Sequence, residues 1–372
     1  TKSKPRRNPI YPKSTLERIF QKFRFMKRIA YIELDTHAEL AANFYELTKN
    51  SSELSVDFYF SEKIFKLLNI HGKNVFLTDY SQLLEILDKI KYDLIIIGTV
   101  HRHFIFYKAI VQKFNTAILV HNLNFTKASK WELFKNIFKN DFKYRLKLFL
   151  KEGLLEAPKV YQKSKYLLGI DELISQKNNL EFLPVYFNQF DSEKSDKETI
   201  RIVVPGTVSQ SRRDYNTFLD KLKSFDNTEV HYEIIFLGKA SGKELEKLKS
   251  IIDKLPQFIK IQFFEHKIHQ QQFDEWMRKS DVLYCPIQNE TEFLSVKEIY
   301  GKTKISGNIG DAIRYAKPAI FPTSYESDLE FIISEKEDLQ TQLSEVKNQR
   351  FDFKLYSREI ISRELIQLIK KL

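Results

Sequence analysis

Short apolar runs alternate with amphipathic segments over the first half of the chain. The apolar runs predict β-strands at 29–34, 56–60, 74–77, 93–97, 116–120, 166–170 and 180–185. Between them, apolar residues recur at the spacing of one helix face, which predicts helices at 38–49, 62–69, 80–91, 103–114 and 130–152. Strands that alternate with helices predict a parallel sheet covered by helices on both faces.

A polar stretch at 188–199 has no apolar pattern, so we interpret it as a linker. A second alternation follows it, with strands predicted at 200–204, 232–237, 259–264, 282–285 and 319–321 and helices at 213–224, 241–254, 269–279 and 309–316. Helical segments are predicted at 325–347 and 356–371. The pattern therefore predicts an α/β fold divided into a basic arm and amphipathic helix at 1–27, Rossmann-like domains at 28–187 and 200–335, and C-terminal helices at 336–372.

Charge is concentrated in two segments. The chain has 60 Lys and Arg against 49 Asp and Glu, a formal net charge of +11. Residues 1–28 carry a net +9 and residues 127–151 a net +6, so the rest of the chain is mildly acidic. A nucleic-acid-binding protein more often spreads its positive charge along a groove, so we expect no nucleic-acid partner.

Both basic segments also contain large apolar residues. In 130–152 lysines recur every four or five positions beside Trp131, Phe134, Phe138 and Phe142, and 14–26 repeats the arrangement with Phe20 and Phe23. Such segments favour contact with an anionic membrane surface through 14–26 and 130–152. The alternative is that the apolar faces pack on the sheet and the lysines are solvated.

Several classes are excluded or disfavoured. The single cysteine, Cys285, excludes a disulfide scaffold and a thiolate zinc site. No apolar stretch is long enough to span a membrane, and no apolar region follows the basic N-terminus as in a secretory signal. We therefore expect a cytoplasmic protein. His101 and His103 have no third ligand nearby in sequence, so we expect no metal site.

Glycine is scarce, with 10 in 372 residues, so its positions are informative. Gly301, Gly307 and Gly310 fall in one segment that follows a predicted strand and opens a predicted helix. Backbone N–H groups at a helix N-terminus, with Lys304 and Ser306 beside them, would form an anion site. The alternative is a surface loop with flexible turns.

A second glycine turn has the same setting. Gly206 and Thr207 follow a predicted strand, and Arg212 and Arg213 precede the next predicted helix. Guanidinium groups match phosphate oxygens, and open α/β sheets bind ligands at the carboxyl ends of their strands. Neither loop fits GxGxxG or the P-loop pattern, which disfavours nicotinamide dehydrogenases and P-loop NTPases.

These motifs resemble the nucleotide-sugar domain of GT-B glycosyltransferases, in particular the retaining "group 1" family. In that family a basic residue follows the glycine turn by six positions, as Arg212 follows Gly206 here. An apolar strand ending in Gly238 comes next, then a strand closed by Pro286. An acid–Ala–x5–Pro segment follows, here from Asp311 to Pro318. The resemblance covers roughly 200–322.

The resemblance implies two Rossmann-like domains facing each other across a cleft, with the last helix crossing back to the first domain. It implies an acceptor domain at 28–187 and a nucleotide-sugar domain at 200–335. No cofactor or metal is implied, because helix dipoles and basic residues neutralise the leaving diphosphate. The predicted donor-binding residues are Gly206, Thr207, Arg212, Arg213, Lys304, Ser306, Gly307, Asn308, Gly310 and Asp311.

One departure from the family concerns its two glutamates, which stand eight positions apart. Asp311 takes the place of the second, and Thr303 falls in the place of the first. An acid that the family uses near the donor sugar is therefore missing at that position. The candidates to replace it are Glu290, Glu292 and Glu298 in the preceding segment.

The catalytic candidates lie at predicted strand ends in the first domain. Asp35 and His37 follow the first strand, and His121 follows the fifth, where many GT-B enzymes place a cleft histidine. A carboxylate or imidazole there could deprotonate an acceptor hydroxyl or orient the donor. The alternative is that each is a hydrogen-bonded structural residue.

The leading hypothesis is a glycosyltransferase that moves a sugar from a nucleotide-diphosphate sugar to a glycan or lipid-linked acceptor. Such an enzyme would serve surface glycan, polysaccharide or lipopolysaccharide assembly, peripherally on the inner face of the plasma membrane. Two alternatives remain: a GT-B nucleotide-sugar epimerase, and a non-catalytic sugar- or nucleotide-binding scaffold of GT-B ancestry.

Overall fold

The structure is a computed structural model, and it describes residues 26–190, 198–226, 229–252 and 254–372. Almost all of the helix predicted at 14–26, and most of the linker predicted at 188–199, lie outside these residues. The described residues form two parallel sheets with helices on both faces, and the sheets face each other across a cleft. The predicted fold class of two Rossmann-like domains is confirmed.

The first domain is built on a seven-stranded parallel sheet of order β3-β2-β1-β4-β5-β6-β7. Its strands are β1 Lys27–Glu33, β2 Leu54–Phe60, β3 Val75–Leu77, β4 Leu94–Ile97, β5 Thr116–Leu119, β6 Tyr166–Gly169 and β7 Glu181–Phe182. The strand β4 is completely buried at the centre of the sheet, as its unbroken apolar run predicts. The last strand is shorter than the predicted 180–185, because Pro184 has no N–H to donate to a neighbouring strand.

Helices connect these strands and cover both faces of the sheet. They are α1 Ala38–Thr48, α2 Glu62–Leu68, α3 Tyr80–Lys89, α4 Phe104–Lys113, α5 Leu123–Lys127, α6 Lys130–Asn136, α7 Phe142–Lys147, α8 Ala157–Lys163 and α9 Glu172–Lys177. Side-chain caps begin several of them: the Asp79 carboxylate, for example, accepts the N–H of Ser81 at 2.8 Å.

The prediction of one long helix at 130–152 is wrong. The segment forms α6, then α7, then a π-helical turn at Leu148–Glu152. The break lies at Asp141, whose φ of 57° is left-handed, and Asn140 precedes it. Asn and Asp are turn residues because their side chains compete for backbone hydrogen bonds, and this signal was available in the sequence.

The second domain contains a six-stranded parallel sheet of order β10-β9-β8-β11-β14-β15. Its strands are β8 Thr199–Pro205, β9 His231–Lys239, β10 Ile259–Phe264, β11 Val282–Tyr284, β14 Ala319–Phe321 and β15 Ile332–Ser334. Its helices are α10 Tyr215–Lys223, α11 Gly242–Ile252, α12 Gln270–Lys279, α13 Gly307–Tyr315 and α14 Leu339–Asn348. The helix predicted at 325–347 is wrong at its start: β15 occupies part of it, and Asp338 caps the actual helix by accepting the N–H of Thr341 at 3.0 Å.

An antiparallel hairpin absent from the predictions links the two domains. It consists of β12 Glu290–Phe293 and β13 Val296–Ile299, joined by a two-residue turn. Both turn residues, Leu294 and Ser295, have positive φ (48° and 59°), a conformation usually reserved for Gly and Asn. The turn therefore carries no recognisable sequence signal.

The hairpin belongs to the second domain by sequence but packs in the core of the first. Val296 is buried in that core, and the ring of Phe293 lies 4.8 Å from that of Phe125. The buried carboxylate of Glu298 accepts the N–H groups of Phe125 at 2.9 Å and Asn124 at 3.2 Å. The tip is held by Arg145, which donates to Ser295 Oγ at 2.7 Å.

The end of the chain returns to the first domain. The last helix, α15 Arg358–Lys371, buries Ile361, Leu365 and Ile369 in the core on one face of the first sheet. No helix of the described residues is long and apolar enough to cross a membrane.

Candidate functional site

A cleft of about 480 Å³ lies between the carboxyl ends of the two sheets. The first domain lines it with the loops after β1, β4 and β5, and the second with the loops after β8 and β13 and the start of α13. This is the edge at which open α/β sheets bind ligands. Among the described residues, cavities of about 850 and 410 Å³ also lie against the C-terminal segments, and they share few residues with this edge.

The wall of the cleft formed by the second domain, which we call the donor wall, is built around the N-terminus of α13. Ser306 caps this helix by accepting the N–H of Asn308 at 3.3 Å, and Gly307 begins it. Ser306, Gly307, Asn308 and Asp311 all line the cleft. The positive end of a nine-residue helix therefore opens into the cavity, as an anion site requires.

Three cationic side chains stand beside that helix end. Arg212 and Arg213 come from the loop after β8, and Lys304 comes from the loop after β13. Arg213 donates to Asn308 Oδ1 at 3.3 Å, and its Nε is buried without a partner. Lys304 donates across the cleft to Asn122 Oδ1. Burial lowers the pKa of Lys304, so an incoming anion would stabilise its charged form.

The geometry of Gly206 explains why glycine stands in the loop after β8. Its φ is +101°, and a Cβ at this position would lie 2.5 Å from Arg213 Nη2. Any side chain here would thus be strained and would displace the guanidinium from the donor wall.

The acid at the end of the donor wall is Asp311, at the place of the second family glutamate. Its carboxylate accepts from Asn308 Nδ2 at 3.0 Å. Burial raises the pKa of Asp311 to about 6, against the opposing effect of the Asn308 hydrogen bond and the nearby Arg314 and Arg213. The position of this carboxylate in the cleft suits a ligand whose hydroxyl groups donate hydrogen bonds.

The opposite wall, which we call the histidine wall, carries three imidazoles. The rings of His37 and His121 stack with centroids 3.8 Å apart and planes 11° apart. The ring of His101 meets both edge-on, at 5.9 Å from His37 and 5.6 Å from His121. The sequence places these residues in three separate loops, and the parallel sheet brings the loops to one edge.

Hydrogen bonds assign the nitrogens of two of these rings. His121 Nε2 donates to the Gly98 carbonyl at 2.7 Å, and His37 Nδ1 donates to Glu39 Oε1 at 3.0 Å. The remaining nitrogens, His121 Nδ1 and His37 Nε2, are then acceptors in the neutral rings. Burial, with the neighbouring imidazoles, holds the pKa of His121 well below its usual range and lowers the pKa of His101 to about 3.

Three of the predicted site residues do not line the cleft. Asp35 lies near Tyr80 and Arg102, its Oδ2 is buried without a partner, and burial raises its pKa. Thr207 is exposed, and its carbonyl accepts from Arg213 at 3.3 Å and from the Tyr215 hydroxyl at 3.4 Å. A Cβ on Gly310 would lie 2.4 Å from the Tyr186 ring, so this glycine allows α13 to pack closely. The lining contains the other ten: His37, His121, Gly206, Arg212, Arg213, Lys304, Ser306, Gly307, Asn308 and Asp311.

None of the three candidates to replace the missing glutamate lines the cleft. Glu298 is buried and occupied by the N–H groups of α5, and Glu290 pairs with Lys297 at 2.6 Å. Glu292 faces the same exposed side of the hairpin. Thr303, at the family's first acid position, accepts the N–H of Ile299 at 2.8 Å and does not line the cleft. The next residue, Lys304, does line it.

Sequence reasoning missed several residues of the cleft lining, and two of them bear directly on the histidine wall. Glu39 is two residues beyond His37, at the start of α1, and orients that ring. Phe293 reaches the cleft from the hairpin and lies 4.5 Å from the His101 ring. The first could have been found from its spacing to His37, whereas the second depends on the unforeseen hairpin. The described residues contain no group of three or more His, Cys, Asp or Glu that could hold a metal ion.

No protein-family model matches the chain. No curated protein matches its sequence either. Solved structures do match its fold over most of its length. The lipopolysaccharide outer core galactosyltransferase WaaB is 12% identical with a TM-score of 0.55, covering 93% of this chain and 100% of its own. Anabaena HepE, solved with UDP and glucose, is 10% identical with a TM-score of 0.53 and the same coverage.

A protein from Listeria monocytogenes named as a UDP-N-acetylglucosamine 2-epimerase is also similar, at 12% identity and a TM-score of 0.50. The alignment covers 93% of this chain and 96% of that one. At these identities the likeness concerns the fold. The chain has the two-domain fold of GT-B glycosyltransferases, as its motifs predict.

Proposed function

We propose that this protein is a glycosyltransferase that uses a nucleotide-diphosphate sugar as donor. The observation that carries the proposal is the pairing of two unlike walls across one cleft. The donor wall offers a helix N-terminus, Arg212, Arg213 and Lys304 to an anion, and the histidine wall offers two unprotonated imidazole nitrogens. A diphosphate leaving group and an acceptor hydroxyl need these two kinds of group.

On the donor wall, the diphosphate would lie over the first turn of α13, between Lys304 and the two arginines. Its charge would replace the Asn122 oxygen as the partner of Lys304. The ionised carboxylate of Asp311 would accept hydrogen bonds from the ribose hydroxyl groups. These contacts stabilise the negative charge that grows on the diphosphate as its bond to the sugar breaks, so no metal ion is required. Gly206, Ser306, Gly307 and Asn308 would shape the same pocket.

On the histidine wall, His37 is the better placed base. Glu39 accepts a hydrogen bond from Nδ1–H of His37, which leaves Nε2 free to take a proton. The Glu39 carboxylate then stabilises the resulting imidazolium. The acceptor O–H bond would break, its proton would move to Nε2, and the oxygen would bond to the sugar carbon as the nucleoside diphosphate leaves. His121 stacks beneath His37 and fixes its plane.

Incubation of the purified protein with UDP- and GDP-sugars tests the proposal and separates it from the two alternatives. A glycosyltransferase should release nucleoside diphosphate, slowly to water and faster with a suitable acceptor. An epimerase would convert the donor to its epimer, and a binding scaffold would leave it unchanged. The cleft lining contains only two acids, Glu39 and Asp311, which favours transfer over a reaction that needs several proton exchanges.

We further propose that the acceptor is a lipid-linked glycan reached at an anionic membrane surface, in surface polysaccharide or lipopolysaccharide assembly. The membrane-facing surface would be the aromatic patch, an exposed and mainly aromatic surface that runs from α6 through α7 to the turn after it. Its exposed members are Trp131 (64% exposed), Phe138 (65%), Phe142 (44%), Tyr144 (44%) and Leu150 (67%). Exposed aromatic residues in contact with one another are unusual on a monomer and suit the membrane interface.

Exposed lysines surround this aromatic patch. Lys135 lies 5.1 Å from the Trp131 ring, and Lys139, Lys143, Lys147 and Lys151 follow. The aromatic rings form a chain in which Phe134 links Trp131 to Phe138, and Phe138 stacks on Phe142 at 5.9 Å. Each Lys or Arg at an anionic leaflet contributes about 1 kcal/mol, so this surface would hold the protein reversibly on the inner face of the plasma membrane.

Co-sedimentation with phosphatidylglycerol and phosphatidylcholine vesicles tests this placement. We expect binding to anionic vesicles at low salt, and loss of binding in the Trp131→Ser/Phe138→Ser variant. The matched control is Leu67→Ser/Leu77→Ser, which removes residues that are 56% and 57% exposed elsewhere on the first domain. Equal loss in both variants, or no binding by the wild type, would favour a soluble acceptor.

A further inference from the structure

One buried carboxylate near the cleft has no part in the reaction described above. Glu33 is the last residue of the central strand β1 and has no exposed surface. We infer that Glu33 is a positioning residue that ties together the three histidine loops and supplies a negative charge behind their imidazoles. The inference rests on the proposed function for its effect on turnover, whereas its effect on the imidazoles is measurable without any reaction.

The first carboxylate oxygen organises the loop that leads to His37. Glu33 Oε1 accepts the N–H of Asp35 at 3.0 Å and that of Thr36 at 3.3 Å. Both donors are backbone groups between the end of β1 and the residue that precedes α1. The path of the chain into His37 is therefore set by the Glu33 side chain, four residues earlier.

The second oxygen reaches the other two loops. Glu33 Oε2 accepts from Thr99 Oγ1 at 2.7 Å, and Thr99 stands two residues before His101. A Cβ on Gly98 would lie only 2.5 Å from this oxygen, so glycine is required where the β4 loop crosses the carboxylate. The carbonyl of the same Gly98 accepts from His121 Nε2 at 2.7 Å. All three imidazoles thus depend on groups that touch Glu33.

The partners of Glu33 favour its charged form. The N–H groups of Asp35 and Thr36 can only donate, and Thr99 O–H donates as well, so the ionised carboxylate accepts all three bonds. Burial raises the pKa of Glu33, and the three donors oppose that effect. Among the described residues Glu33 forms no ion pair with Lys or Arg, so its charge is not cancelled locally.

The charges that face the imidazoles come from both walls. Glu39 on α1 and Glu33 on β1 favour an imidazolium, as does Asp311 on α13 once it is ionised. Lys304 from the β13 loop and the two arginines from the β8 loop oppose it. Lysine and arginine side chains are long and flexible, whereas Glu33 is held by three hydrogen bonds. Glu33 therefore supplies the charge whose position near the imidazoles changes least.

The substitution Glu33→Gln separates charge from shape. The amide oxygen can still accept the two N–H groups, and the amide nitrogen can donate to Thr99 Oγ1, so the loops should retain their conformation. We expect NMR titration of the histidine rings to show that the cleft imidazoles lose their proton about one pH unit lower in this variant. His71, an exposed histidine on another loop, should titrate as in the wild type.

Unchanged midpoints for the cleft imidazoles in a folded Glu33→Gln protein would overturn the inference. If that variant does not fold, Thr99→Val removes one donor and should shift the ring signals of His101 and His121 while His71 keeps its own. Ring signals that do not move would overturn it equally. Absence of any sugar transfer in the wild type would remove the proposed function and leave these titrations interpretable.

Discussion

The two walls of the cleft are built by different means. The histidine wall is held by short contacts: one imidazole bonds to a backbone carbonyl, one to a carboxylate, and two stack at 3.8 Å. The donor wall relies on long side chains: Arg212 is exposed, and the hydrogen-bond partner of Lys304 across the cleft is the uncharged Asn122 amide. One wall is thus already ordered by contacts within the protein, and under the proposed function the other would be completed by the diphosphate of the donor.

This difference fits the separate roles that we propose for the two walls. Proton transfer tolerates little error in position, so a preformed histidine wall suits the acceptor. Binding of a diphosphate gains its energy from charges that can adjust, so the donor wall suits the leaving group. Substitutions on the histidine wall should therefore reduce turnover, and those on the donor wall should reduce affinity.

The largest effect is expected from His37→Ala. Loss of a general base costs typically 10²- to 10⁴-fold in turnover, and donor affinity should stay nearly unchanged because the ring lies on the opposite wall. Turnover and donor affinity are measured separately, by product release and by calorimetry. Glu39→Gln should lower turnover less, because it removes only the partner of Nδ1.

His121→Ala tests the same wall at a second ring. It should lower turnover by removing the surface on which His37 stacks, with donor affinity nearly intact. A variant that loses thermal stability and keeps its turnover would show that His121 is structural. Asp35→Asn serves as a comparison, because Asp35 lies outside the cleft lining and should affect turnover least.

The next effect concerns the donor wall. Arg212→Ala or Lys304→Ala alone removes one charge-assisted contact of about 1.5–3 kcal/mol, so donor affinity should fall by roughly tenfold to a hundredfold in each single variant and further in the Arg212→Ala/Lys304→Ala double variant. The matched control is Lys302→Ala, an exposed lysine of the same loop that pairs with Glu326 at 3.1 Å. Unchanged affinity in the double variant would place the diphosphate elsewhere.

A smaller effect is expected where the two walls are joined. Glu298→Ala leaves two buried N–H groups of α5 without an acceptor, which should cost about 1–3 kcal/mol in the stability of the hairpin contact. The midpoint of urea unfolding measures this loss, and Glu292→Ala, on the exposed side of the same hairpin, is the control. Equal midpoints in the two variants would show that Glu298 does not join the domains.

Sequence patterns predicted the two sheets and ten of the thirteen proposed site residues in the lining of one cleft. Parallel strands bring the loops at their carboxyl ends together, so Gly206, Lys304 and His121 line the same cleft although they are far apart in sequence. The patterns could not find the hairpin, whose turn uses Leu294 and Ser295 in a conformation that those residues rarely adopt. Nor could they tell that Asp35 points away from the cleft, since side-chain direction at a strand end depends on packing.

The last prediction uses the only acid of the donor wall. Burial raises the pKa of Asp311 to about 6, so this carboxyl loses its charge as the pH falls through that value. A hydroxyl group of the sugar donor forms a stronger, charge-assisted hydrogen bond with the ionised carboxylate than with the protonated acid. Donor affinity should therefore be full above pH 7 and decline severalfold by pH 5. A nucleotide sugar is the proper probe, because its esterified diphosphate keeps its charge over this range. Asp311→Asn should bind more weakly at pH 7 and show a flat profile, since the amide does not titrate. A decline of equal steepness in Asp311→Asn would assign the pH dependence to another group, with the histidine wall the first to be tested.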